Sequence, residues 1–121
     1  MALGWKLLGA NMDALQVAAS NDAASGIVAA GTGQSDATEL TNGINFVSTV
    51  SAGQGVVLSS KLASGDSQVV YNAGLNALRV YPTSGMKINN LSANAAMILA
   101  LNTGIEFHCV STTQIVAVMS A

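Results

Sequence analysis

The sequence predicts an all-β protein, either a β-sandwich or a jelly-roll-like Greek key, preceded by an N-terminal arm. Three observations lead to this prediction. From residue 38 onward, short apolar runs are separated by turn residues at the spacing of about 8–12 residues that is typical of such folds. Many of the runs contain β-branched residues, which favour strands. No apolar repeat of about 3.6 residues continues long enough to indicate a helical domain.

We predict ten strands in chain order. The first is a weak strand at 26–30, which follows a linker rich in Ala, Gly and Ser. The segments NG, SAGQG, ASGD, AGLN, PTSG, SAN, NTG and STT separate the others, and they are rich in residues that form tight turns. The predicted domain boundaries are therefore an arm and linker over 1–25 and a β-domain over 26–121. The nine later strands are predicted at 38–40, 44–50, 56–59, 68–72, 77–81, 87–89, 96–100, 105–110 and 114–119.

Alternation of side chains along each strand predicts which residues face the core. In the run GIEFHCVS, Phe107 and Cys109 point to one side of the strand, whereas Glu106 and His108 point to the other. The same reasoning over the other strands gives a set of predicted core residues. These are Val70, Leu78, Val80, Ile98, Phe107, Cys109 and Val116.

The stretch VVYNAGLNALRVYP, residues 69–82, is predicted to be a β-hairpin, because two apolar runs flank a small polar turn. Leu78 and Val80 would fill the core from one face of the second strand. Arg79 and Tyr81 share the opposite face, which is either exposed or buried in an interface. Arg79 and Tyr81 are therefore candidate interface residues.

Composition indicates a protein that associates with copies of itself or with a partner. Half of the residues are hydrophobic and only 8% are charged, against about 25% charged in an average globular domain. No run approaches the ~20 apolar residues that a membrane-spanning helix requires, so no membrane partner is predicted. The net charge is −2 and only four residues are basic, so no nucleic-acid partner is predicted either.

The N-terminal segment contains its own cluster of large apolar residues, Trp5, Leu7, Leu8 and Met12, joined to the β-domain by a linker of small residues. Such a cluster is expected to be buried, because large apolar groups gain free energy when they leave water. Two interpretations remain open at this point. The segment packs on its own domain, or it is an arm that docks on a neighbouring subunit.

No arrangement of residues predicts catalysis, a metal site or a cofactor. His108 and Cys109 are neighbours on a strand, so their side chains project to opposite faces and cannot act as a base and a nucleophile together. The acidic residues are scattered, and Asp66 is predicted to be a turn residue that accepts a hydrogen bond from its own loop. The glycine-rich GTGQS lacks the Lys of a phosphate-binding loop. The sequence predicts a protein that is not an enzyme.

Three sequence motifs in and around predicted turns resemble motifs of a known family. The chain contains V-x-N-A-G-x-N-A-L-x-V-Y-P at 70–82, G-x-x-I-N-x-L-x-A-N-A-A at 85–96 and S-x-T-Q at 111–114. Together with TELTNGINFVSTVSAGQGVVL upstream, they resemble a small β-domain of tailed-phage virion proteins over residues 32–120. The family pattern has an aromatic residue after the final Gln, where this chain has Ile115.

The resemblance implies a structural role in the virion. Domains of this group occur as capsid decoration, or cement, proteins and as parts of head or tail fibres. The resemblance further implies a homotrimer on the capsid surface with the major capsid protein as partner. A short arm and one β-domain favour the cement protein, and a fibre tip or adhesin domain is the alternative. A sugar-binding module is a third possibility, but such modules usually display exposed aromatic residues, and here the aromatic residues lie mostly within predicted strands.

Overall fold

The computed structural model describes residues 22–119, and within them the chain is all-β. The ten strands match the ten that the sequence predicts, with ends that differ by a few residues. A single turn of 3₁₀ helix, Gln34–Asp36, lies between the first two strands. The strands are β1 (Ala23–Val28), β2 (Thr38–Glu39), β3 (Ile44–Thr49), β4 (Gly55–Val57), β5 (Ser67–Asn72), β6 (Leu78–Tyr81), β7 (Lys87–Ile88), β8 (Met97–Leu99), β9 (Thr103–Cys109) and β10 (Gln114–Met119).

The strands form two sheets, and the chain alternates between them from β1 to β8. The large sheet has the order β1-β3-β5-β9-β10-β7, and the small sheet has the order β2-β4-β6-β8. β1, β3 and β5 are parallel to one another, as are β2, β4 and β6. Each successive pair of strands, one from each sheet, therefore forms a rung that stacks on the preceding rung. This is a solenoid-like arrangement. Antiparallel pairing occurs only at β5–β9, β9–β10 and β6–β8 among the paired strands of residues 22–119.

The predicted hairpin at 69–82 is wrong, because β5 and β6 belong to different sheets. The loop between them is a corner from one sheet to the other. A methyl group at Gly74 would lie 2.6 Å from Val50 Cγ2, so glycine is required by close packing. Asn76 donates a hydrogen bond to the Val50 carbonyl at 2.8 Å and ties the corner to the preceding loop.

The core is a single cluster formed by the inward side chains of both sheets. Most of the predicted core is confirmed, with Phe107 entirely buried and Cys109 only 2% exposed. Val70, Leu78 and Val80 are also buried completely. The predictions for Ile98 and Val116 are wrong.

At Ile98 and Val116, the wrong set of alternating residues was assigned to the buried side of the strand. Ile98 is 59% exposed and Val116 is 38% exposed, whereas Leu99 and Ile115 are fully buried. A shift of one residue in a strand moves the side chain to the other face of the sheet. Both β8 and β10 have apolar residues at consecutive positions, so alternation alone does not identify the buried phase.

Candidate assembly surface on the large sheet

The outer side of the large sheet carries an apolar surface that no other described part of the chain covers. Its largest exposed groups are Ile44 (48%), Phe46 (44%) and Val118 (50%). Half-buried side chains of β5 continue it between β3 and β9. We call this surface the apolar face, and it consists of Ile44, Phe46, Val69, Tyr71, Glu106, His108, Val116 and Val118.

Strand register makes the apolar face continuous. Ile44 of β3 lies opposite Val69 of β5, Val69 lies opposite Glu106 of β9, and Glu106 lies opposite Val118 of β10. Ala23 of β1 extends the same row at the sheet edge. Side chains that are directly opposite on one side of a sheet touch their neighbours. The row therefore crosses five of the six strands without a gap.

An aromatic pair anchors one side of this face. The rings of Phe46 and Tyr71, from the neighbouring strands β3 and β5, are stacked with centroids 5.4 Å apart and an angle of 7° between their planes. Aromatic rings supply large, rigid contact area, and they are enriched at interfaces for that reason. The pair gives the apolar face a rigid element that is half exposed to solvent.

One acid and one imidazole lie at the centre of the face. Glu106 Oε1 is 3.3 Å from His108 Nε2, and the two side chains are 48% and 40% exposed. This is the only ion pair within residues 22–119, and it forms when the imidazole is protonated. Exposed pairs of this kind stabilise a fold only slightly. The carboxylate is thus a charged group in an apolar surrounding that retains access to a partner.

The two strands beneath the face have buried amides on their inner side and large apolar residues on both sides. β3 and β5 turn Asn45, Gln68 and Asn72 toward the interior, where each is at most 3% exposed and lies on the same side as the buried Val47 and Val70, and they turn further large apolar residues outward. The buried amides form hydrogen bonds with the backbone. Gln68, for example, donates to the Leu40 and Asn42 carbonyls and accepts from the Ser59 N–H at 2.8 Å. Buried amides therefore add hydrogen bonds to the apolar core between the two sheets, while further apolar groups of the same strands face solvent.

The sheet edges are poorly suited to association. At one edge of the large sheet, β1 is interrupted by register shifts around Gly26, whose φ is +72°. The other outer strands, β7, β2 and β8, have only two, two and three residues. Bulged or very short edge strands block the addition of a further strand. Association of this domain through β-sheet surfaces is therefore expected at a face and not at an edge.

The predicted interface residues of β6 lie elsewhere. Arg79 is exposed on the outer side of the small sheet, opposite Gly55 and Ile98 in register. Tyr81 is only 8% exposed, and its hydroxyl donates to the Thr32 carbonyl at 3.4 Å. Tyr81 is therefore covered by other residues of its own chain, and neither Arg79 nor Tyr81 lies on the apolar face.

The other four predicted interface residues, Trp5, Leu7, Leu8 and Met12, lie outside the described residues.

The side chains considered for chemistry fit structural roles. His108 is partly exposed and Cys109 is buried on the opposite side of β9, which confirms that they cannot act together. The Asp66 carboxylate accepts the Ala63 N–H at 3.0 Å, which confirms the predicted turn. Among residues 22–119, no three His, Cys, Asp or Glu side chains are close enough to hold a metal ion.

The GTGQS loop holds a carboxylate of its own. Asp36 accepts hydrogen bonds from the backbone N–H groups of Gly33 at 2.9 Å and Thr32 at 3.2 Å. These bonds lower the pKa of Asp36 below its ordinary value, because they stabilise the charged form. A loop whose N–H groups already bind an internal carboxylate is a poor site for phosphate.

Sequence reasoning missed the apolar face, although the pattern that marks it was present. In INFVST and SQVVYN, the residues that point to each side of the strand include large apolar ones, and the residues on one side also include the amides. A strand with an apolar residue in each phase has a second apolar side that needs a cover. That pattern indicates burial on both sides of the large sheet.

Comparison with protein-family models, curated proteins and solved structures found no match. Residues 22–119 contain no helix with the length and hydrophobicity needed to cross a membrane.

Proposed function

We propose that this protein is a phage capsid decoration, or cement, protein that binds the outer surface of the head and stabilises capsomer junctions. The proposal combines the resemblance of residues 32–120 to tailed-phage virion domains with one structural observation. That observation is the apolar face, a continuous surface on a domain with few charges. The proposed role is structural and not catalytic.

The apolar face supports an assembly role on physical grounds. Contiguous exposed apolar surface on a soluble domain usually marks an interaction site. The face spans the middle of the large sheet, and the edges on either side of it are bulged or short. The sheet edges of such a domain do not pair with strands of other chains, so the domain presents one broad face to a partner. Permanent assemblies bury more apolar surface than transient ones do.

The proposed assembly is a homotrimer whose partner on the head is the major capsid protein. Cement proteins work by bridging neighbouring capsid subunits, so they need contacts to each other and to the capsid. The arm residues Trp5, Leu7, Leu8 and Met12 provide one set of apolar anchors, and exposed Arg79 of the small sheet provides a separate contact for the capsid.

The finer architecture that we propose is a two-layer β-sandwich in which the large and small sheets pack through the common core. Residues from both sheets belong to the same buried cluster, which supports this arrangement. The stacking of parallel rungs from β1 to β6 is an added feature of this sandwich.

A head-fibre or tail-fibre tip, or adhesin domain, is the alternative. The parallel rungs favour it, because repeated rungs of this kind build elongated proteins. The two functions differ in where the protein is found on the virion.

Decoration of whole virions tests the proposal. Full-length protein is mixed with phage virions that lack it, unbound protein is removed by sedimentation, and the virions are imaged by electron cryomicroscopy. We expect regular added density at capsomer junctions and greater resistance of the heads to heat. Density confined to a fibre or a tail would support the alternative, and no density on any part of the virion would refute both.

A further inference from the structure

We propose that the apolar face of each copy is the binding site for the N-terminal arm of a neighbouring copy, with Trp5, Leu7, Leu8 and Met12 as the docking residues. This inference rests on the proposed homotrimer, and it names the two surfaces that would form it. Three properties of the chain support the pairing: the path of the chain, charge complementarity, and symmetry.

The described chain begins at the border of the apolar face. Asp22 precedes Ala23, and Ala23 is paired with Ile44 in the row of side chains that crosses the face. The carbonyl of Asp22 also accepts the Ile44 N–H at 3.0 Å, which fixes the exit point of the arm. From Asp22 back to Leu8 there are 14 residues. Because an extended chain spans up to about 3.3–3.6 Å per residue, these residues can span about 46–50 Å, roughly twice the ~24 Å width of a six-stranded sheet, so the arm can extend beyond its own domain.

The charges of the two surfaces are complementary. Lys6 is the only charged residue within the arm cluster from Trp5 to Met12. Glu106 is the only acidic residue in the apolar face, and it is about half exposed at the centre of that face. The Glu106 carboxylate lies 3.3 Å from His108 Nε2 but stays about half exposed, so it can accept a second cationic partner. An apolar segment with one cation therefore matches an apolar surface with one carboxylate. Opposite charges at an interface favour one register and one orientation over others.

Symmetry favours an arm from a different copy. A cyclic trimer requires a heterologous interface, in which two different surfaces of each subunit meet. The arm and the apolar face are two such surfaces. Two apolar faces packed against each other would form an isologous contact, which closes as a dimer. Arm-to-face docking is thus compatible with three copies, whereas face-to-face packing alone is not.

Cysteine cross-linking distinguishes the possible partners of the face. The double variant Leu8→Cys/Val118→Cys places one thiol in the arm and one on the apolar face. After treatment with a short bismaleimide, the products are separated on a denaturing gel and mapped by mass spectrometry. The native Cys109 is 2% exposed and points into the core, so wild-type protein serves as the unreactive control. The matched control is Leu8→Cys/Ile98→Cys, because Ile98 is 59% exposed on the small sheet.

Arm docking on a neighbour predicts covalent dimers and closed trimers in which residue 8 of one copy is joined to residue 118 of another. The matched control should give at least ten-fold less product. A cyclised monomer would overturn the inference by showing that the arm covers its own face. Links between two residues 118 would show that two faces pack together. Absence of any link between residues 8 and 118 would show that the arm binds elsewhere.

A charge exchange provides the second measurement. Lys6→Glu and Glu106→Lys should each weaken assembly about two- to five-fold, as is typical of an exposed ion pair, and the double variant should regain most of the loss. Additive losses would overturn the proposed contact. Cross-linked trimers that fail to decorate heads would refute the cement function while leaving the arm-to-face contact in place, so the two proposals fail separately.

Discussion

Phe46 and Tyr71 stack with ring centroids 5.4 Å apart on the outside of the large sheet, and not in the core beneath it. The same two strands direct Asn45, Gln68 and Asn72 inward. Val47 and Val70 of the same strands also point inward, so both sides of these strands carry large apolar groups. This arrangement makes physical sense when the outer side is also covered in the functional state.

Two Phe→Ala substitutions should separate assembly from folding. Phe46 is 44% exposed and Phe107 is fully buried. We expect Phe107→Ala to lower the free energy of unfolding by about 3–5 kcal/mol, because it leaves a cavity. Phe46→Ala should lower it by about 0.5–1.5 kcal/mol in dilute protein, the contribution of an aromatic pair, and should weaken assembly. Urea unfolding at low protein concentration measures the loss of unfolding free energy in each variant. Equal losses in the two variants would show that Phe46 belongs to the core.

Asn72 should be the most sensitive of the inward amides. Its Nδ2 donates to the carbonyls of Asn76 at 2.9 Å and Leu99 at 3.0 Å, and its Oδ1 accepts the Gly74 N–H at 2.9 Å. Asn72→Ala leaves these backbone groups without their partner. We expect a loss of about 2–4 kcal/mol in thermal or urea unfolding, because each buried unsatisfied group costs about 1–3 kcal/mol.

Asn90→Ala is the matched control for Asn72→Ala, since Asn90 is exposed. It should change the free energy of unfolding by no more than about 0.5 kcal/mol. Similar losses in the two variants would contradict the view that the Asn72 amide joins the sheets.

Gly55 should not tolerate a side chain. A methyl group there would lie 2.5 Å from the Arg79 carbonyl oxygen and 2.9 Å from Tyr81 Cε2. Gly55→Ala should therefore lower the free energy of unfolding by about 1–3 kcal/mol, since overpacking forces the backbone to move. Gly33→Ala is the control, because the nearest atom to its added methyl is 3.8 Å away. Unchanged melting of the Gly55 variant would show that β4 and β6 can separate at little cost.

Glu39 gives the fold a dependence on acid pH. The Ser60 N–H at 3.0 Å and the Ser60 hydroxyl at 2.9 Å donate to its carboxylate, and with a smaller effect of Lys61 they lower the pKa of Glu39 from the ordinary 4.5. A lowered pKa in the folded state stabilises the fold above the unfolded pKa, and this contribution is lost as the pH falls through the folded pKa. The difference in unfolding free energy between wild type and Glu39→Gln should therefore shrink on acidification below 4.5. A difference that does not change with pH would contradict this role.

The sequence was sufficient to predict the strands but not which strands pair with one another. Turn residues and β-branched runs predicted all ten strands, because both signals are local. Sheet order depends on contacts between distant segments, so β5 and β6 were predicted as a hairpin, although they lie in different sheets. The close approach of Gly74 to Val50 that forms this corner is not visible in the local pattern.

The candidate site was harder to predict than the fold. Arg79 and Tyr81 were chosen from a single strand, and the structure buries Tyr81 against its own chain. The residues of the apolar face come from four strands that meet only after pairing. Ile98 and Val116 were assigned to the core because an exposed apolar residue and a buried one look alike in sequence.

The oligomeric state of a face variant tests the central claim most directly. Sedimentation velocity at micromolar concentration should show wild-type protein as a homo-oligomer with the mass of a trimer. Val118→Asp should shift it to monomer, since a second carboxylate directly opposite Glu106 cannot be buried in an apolar contact without a large cost. Ile98→Asp, an equally drastic change on the small sheet, should leave the trimer intact. A wild-type monomer, or a Val118→Asp variant that remains a trimer, would contradict assembly through the apolar face.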